Sequence, residues 1–60
     1  MRTVTFVFSS TVISTVVEED DDNEAVRIAA EIINQDLGAD ANVQETAQEI
    51  QIDGEEWHGA

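Results

Sequence analysis

The chain has no cysteine, no lysine, two arginines and a single histidine. Without cysteine there is no disulfide staple, and one histidine cannot build a metal site. Two common supports of very small folds are therefore excluded. Against Arg2 and Arg27 stand 14 Asp and Glu, which leaves a formal net charge of −12 over 60 residues and a sequence pI near 4.1. No apolar run approaches the ~20 residues of a membrane helix. The opening Met1-Arg2-Thr3-Val4-Thr5-Phe6-Val7-Phe8 alternates polar with apolar residues and lacks the solid apolar centre of a signal peptide. The chain thus reads as soluble and cytoplasmic. Its charge repels phosphates, which argues against nucleic acid or an anionic membrane as a direct ligand.

What is present is patterned. Hydrophobic residues make up 42% of the chain and are clustered, so it does not read as a disordered acidic tail. Length allows one domain, spanning 1–60, of which about 60% of the unfolded surface can be buried. Repulsion among the carboxylates weakens the compact state further. Val4, Phe6 and Phe8 alternate with Thr3, Thr5 and Val7, and Ser9-Ser10 separates them from a second β-branched run, Thr11–Val17. This predicts an antiparallel hairpin over 2–18. Composition then shifts to Glu18-Glu19-Asp20-Asp21-Asp22-Asn23-Glu24. Asp21 and Glu24 fit a capping box, and Val26, Ala29, Ala30, Ile33 and Leu37 form one apolar stripe ended by Gly38. A helix over 22–37 is predicted, with Glu24, Arg27, Glu31 and Gln35 on its outer face.

The last third supports two readings. A strand over about 43–53 would turn Thr46, Gln48, Ile50 and Ile52 inward and Glu45, Ala47, Glu49 and Gln51 outward. A helix would instead use Val43, Ala47 and Ile50 as its stripe. The strand is favoured, because Ile50-Gln51-Ile52-Asp53-Gly54 ends like a strand entering a turn and a two-stranded sheet under one helix is thin. The expected fold is a small α+β domain of ββαβ order with a flexible tail at about 54–60. Its expected core is Val4, Phe6, Phe8, Val17, Val26, Ala30, Ile33, Leu37, Ile50 and Ile52.

Catalytic chemistry finds no support. Ser9, Ser10 and Ser14 lie in or beside strands without a base, and paired carboxylates need a cleft that so short a chain hardly supplies. From Asp20, the positions Asp20, Asp22, Glu24 and Glu31 match the ligand spacing of an EF-hand loop. Ala25 stands where that loop needs glycine, however, and the following residues are helical. His58, alone, reads as a surface residue. Neither an active site, a metal nor a cofactor is expected. Trp57 has two readings: it covers the edge of a small core, or it anchors an acidic binding face, where Trp is over-represented.

The charge itself is the main signal. Beyond the run from Glu18 to Asp22, acids recur at Glu31, Asp36, Asp40, Glu45, Glu49, Asp53, Glu55 and Glu56, whereas a solvated surface normally mixes both signs. Proteins bind duplex DNA through Lys and Arg on a shaped basic surface, and a small carboxylate-covered protein can occupy that surface instead. In size, whole-chain acidity and α/β pattern, the chain resembles the small acidic phage-encoded DNA mimics. These include anti-CRISPR proteins that block the DNA-binding or PAM-reading surface of a CRISPR effector complex. The segment from Val17 to Ala29, with Glu24-Ala25 opening the helix, also looks like a strand-to-helix transition in other small phage inhibitors, one of which binds RNA polymerase.

The resemblance implies a non-catalytic, monomeric inhibitor acting in the host cytoplasm, whose partner is a basic DNA-binding surface. The expected partner-binding residues are Glu18, Glu19, Asp20, Asp21, Asp22, Glu24, Glu31, Glu45, Glu49 and Trp57. Two alternatives stay open. The chain is an acidic adaptor or structural component meeting a basic subunit, or its charge is an adaptation to high salt. The usage of six Ile, one Leu and seven Asn plus Gln fits the salt reading less well.

Overall fold

Alternating β-branched and aromatic residues make Arg2–Val7 strand β1 in the computed structural model, which describes residues 1–38 and 41–58. The second run forms β2, Val12–Val17, and the two pair antiparallel from Arg2↔Val17 to Val7↔Val12. The loop between them is closed by the Phe8 N–H donating to the Thr11 carbonyl at 2.8 Å. Strand β3, Glu49–Ile52, pairs antiparallel with the other side of β1, and β4, Glu55–Glu56, pairs with β3. The sheet order is β2-β1-β3-β4, and every pair is antiparallel. With helix α1, Asp22–Leu37, across one face, the domain is α+β and matches the expected order up to β3.

Strand parity decides the two faces. Val4 and Phe6 are fully buried, with Val17, Ile50 and Ile52 beside them, and α1 lays Ala25, Val26, Ala29, Ala30 and Ile33 on this surface. The alanines let the helix approach closely, and Phe6 is the largest fully buried side chain. Burying such a ring contributes about 1.5–3 kcal/mol. No helix among the described residues covers the opposite face, and there Val12 and Val16 remain 60% and 52% exposed.

The segment after α1 differs from both expectations and contains half of each. Val43–Thr46 is a single helical turn, α2, and the strand begins only at Glu49. The Val43 N–H donates to the Asn34 side chain at 3.0 Å, which ties α2 to α1. Val43 is consequently buried, a core member the strand reading had not included. Thr46 and Gln48, expected inward, are exposed, while Ala47, expected outward, is half-buried against the core.

Two expected core residues are corrected. Leu37 is 57% exposed because the 16-residue helix, about 24 Å long, outruns six-residue strands of about 20 Å. Phe8 lies beyond β1 in the hairpin loop and is half-buried at the core's margin. The expected flexible tail is corrected over its described part, 54–58, as well. Asp53 and Gly54 have φ of 52° and 84°, the positive pair a two-residue hairpin turn needs. They fold Glu55–Glu56 back onto β3, and the Trp57 N–H donates to the Ile50 carbonyl at 2.8 Å. Residues 59–60 of that tail, and Asp40, lie outside the described residues. No helix among the described residues is long and apolar enough to cross a membrane.

Candidate functional site

The acidic run lies where β2 leaves the sheet and α1 begins. Asp21 caps the helix as expected: its carboxylate accepts the Asn23 N–H at 2.8 Å and the Glu24 N–H at 3.3 Å. Asp22 and Glu24 follow in the first turn, where the helix dipole favours negative charge. The reciprocal half of the capping box is not made. Glu24 instead accepts two bonds from Arg27, at 2.9 and 3.3 Å, because a guanidinium is the stronger donor. The vacated Asp21 N–H donates to Glu19 at 3.4 Å, and Glu19 also accepts the Asp20 N–H at 3.1 Å.

Arg2 draws three segments together at this end. Its guanidinium donates to the Asp20 carbonyl at 2.7 Å, pairs with Asp22, and lies 3.7 Å from Asp53 at the end of β3. Asp53 also accepts the Thr3 N–H at 2.9 Å. The pole thus contains Glu18 to Asp22, Glu24 and Asp53, although several of these carboxylates are occupied internally. Glu19 and Asp21 serve the backbone, and Asp22 and Asp53 serve Arg2. The Glu18 and Asp20 side chains make no hydrogen bond or ion pair with any described residue, and both are exposed. They are the acids most available to a partner.

Glu31 extends the field along α1, where it pairs with Arg27 at 3.2 Å. Arg27 holds the Glu24 carboxyl below its ordinary value by hydrogen bonding and by charge, and Glu24 in turn raises Arg27. Both side chains stand in solvent, so the pair adds little to stability.

The remaining expected site residues lie elsewhere. Glu45 is on α2, where it accepts the Asn42 amide at 2.8 Å. Glu49 pairs across from Val7, whereas the pole lies at the Arg2↔Val17 end of the same strand. Five residues of strand separate these ends by about 17 Å. Trp57 is half-buried and packs against the core, as its covering role predicts. It also lines an open cleft of about 290 Å³ with Glu49, Ile50, Glu56 and His58. Asp53, Glu55 and Glu56 had no place in the expected site. The Asp53-Gly54 pair, a hairpin signal, would have placed all three beside β3. A second groove of about 320 Å³ lies between the hairpin loop and the end of α1, walled by Phe8, Ile13, Leu37 and Val43.

The EF-hand spacing does not produce a loop here. Asp22, Glu24 and Glu31 are helical and engaged with arginine. Compared with protein-family models, curated proteins and solved structures, the chain matches none.

Proposed function

We propose that this chain is a non-catalytic inhibitor that presents the charge of double-stranded DNA. It competes in the cytoplasm for the basic DNA-binding, PAM-reading surface of a CRISPR effector complex or a similar nucleic-acid-binding protein. One observation carries the reading: a dense field of exposed carboxylates with almost no counter-charge, borne on a small ordered body. The molecule is 27 Å long; the same length of duplex carries about 16 phosphate charges, against a formal −12 here. Glu18 and Asp20 at the pole stand where phosphates would stand and pair with the partner's Arg and Lys, while Glu31, already paired with Arg27, adds to the field along the helix. Most of the partner-facing energy comes from counterion release and long-range attraction, so the complex is salt-sensitive.

The test is capture on the immobilised protein followed by a salt gradient and competition with duplex DNA. A basic nucleic-acid-binding complex, released by moderate salt and displaced by DNA, is the expected result. The double variant Glu18→Gln, Asp20→Asn should weaken capture without loss of fold, since neither side chain bonds to a described residue. A basic partner indifferent to duplex DNA would favour the adaptor reading. No partner at physiological salt, with stability rising steeply as salt is added, would favour the salt-adaptation reading.

A further inference from the structure

The two acidic ends differ in what they offer a partner. At the pole, Arg2 already occupies the carboxylates of Asp22 and Asp53. At the open end of the β3–β4 hairpin, away from the Asp53-Gly54 turn, no arginine is in place, because Arg2 is at the pole and Arg27 is clamped between Glu24 and Glu31. His58, 80% exposed, lines the cleft with its Nε2 3.6 Å from Glu56. The cleft also contains a group the pole lacks. Trp57, the single tryptophan of the chain, is fixed on one side by the core and by the Trp57 N–H bond to Ile50, and it still walls the cleft. Trp57, Glu49 and Glu56 are among the residues lining this concavity of about 290 Å³, and an aromatic ring beside two carboxylates supplies the chemistry that holds a flat cation. A guanidinium satisfies it better than an ammonium: it stacks on indole, is weakly hydrated, and offers a planar fork to carboxylates.

We infer that the cleft between Trp57, Glu49 and Glu56 is a pocket for one arginine side chain of a protein partner. The inference rests on the basic-partner reading above and deepens it by separating two contributions. The pole attracts any cation at long range, while the cleft selects arginine at contact. The Glu49 carboxylate keeps acceptor capacity for this role, since its one bond among the described residues is from the neutral Gln51 amide.

The experiment titrates the intact protein with three capped tripeptides, Gly-Arg-Gly, Gly-Lys-Gly and the uncharged citrulline analogue. It follows the single indole N–H signal by NMR. Saturable binding of the arginine peptide is expected, with the lysine peptide about three- to tenfold weaker and the citrulline peptide silent. Glu49→Gln with Glu56→Gln should abolish saturation, and neither side chain is buried, so the fold survives. Trp57→Phe should narrow the Arg-to-Lys ratio, read from the backbone signals of Glu49 and Glu56. Glu18→Gln with Asp20→Asn should leave the ratio unchanged. Equal, non-saturating responses to arginine and lysine would overturn the pocket, as would selectivity that survives loss of both glutamates. If selectivity is absent but capture of a DNA-displaceable partner persists, only the pocket is lost. If the pocket is selective and no such partner exists, only the mimicry is lost.

Discussion

The two edge strands of the sheet are built on opposite principles. Strand β2 is six residues long, β-branched and without a charge, and its inner side packs on the core through Val17 and Ile13. Strand β4 is two glutamates, both exposed, held against β3 by the Asp53-Gly54 turn and by Trp57 behind them. An exposed edge invites pairing with other chains, and charge or brevity blunts it. β4 has both. β2 has neither along its length, and its protection comes from the −12 net charge of the whole molecule. A strand can therefore be specified by its own side chains or by the turn that delivers it, and the two respond differently to substitution.

Gly54→Val should separate them most. At a φ of +84° with nothing within 4 Å of an added Cβ, its cost is conformational rather than steric. We expect a loss of about 1–3 kcal/mol in urea unfolding, a red-shifted Trp57 emission, and unchanged hydrogen exchange in β2. A matching loss of protection in β2 would show the edges are coupled.

Next comes Asp21→Ala at the exit from β2. Removing the cap should cost about 1 kcal/mol by thermal or urea unfolding, while Glu18→Gln, without a structural partner, should cost almost nothing. An equal gain of stability in both variants would mean that relief of charge repulsion, rather than capping, governs this end.

A smaller effect is expected of Val16→Lys on the open side of β2. The side chain is 52% exposed, so stability should change by no more than about 0.5 kcal/mol. Sedimentation velocity at high salt should show the variant less prone to associate than the parent, because the new charge blunts the neutral edge.

The smallest concerns Glu24, whose carboxyl Arg27 lowers from an ordinary value of 4.5. A lowered carboxyl stabilises the fold above its unfolded value, and the contribution disappears as pH falls through the folded value. In Arg27→Gln the Glu24 titration, followed by NMR, should move upward toward the ordinary value. An unmoved midpoint would assign the lowering to another group.

These contrasts also mark what could be read in advance. β1, β2 and α1 each announce themselves, because alternation, an Asp cap and a Gly stop are local and mutually consistent over 16 helical residues. β4 was legible in part: Asp53-Gly54 is a hairpin signal, but two glutamates and a tryptophan have no strand pattern to follow it. The region around Val43 was not legible, since its apolar residues serve α2 and β3 in turn and no single period covers both. The acidic pole was visible as composition. Its division into occupied and free carboxylates was not, because that depends on Arg2 meeting Asp20, Asp22 and Asp53 from 18 to 51 residues away.

By itself, then, the sequence determined the charge, the hairpin, the helix and its cap, all of which depend on neighbours within a turn or a strand. The tertiary structure decided that Leu37 lies beyond the sheet, that Val43 is buried, and that Trp57 and Glu49 meet in one cleft. It did so because those outcomes depend on the relative lengths of helix and strand and on pairing across the chain. Local periodicity carries no information about either.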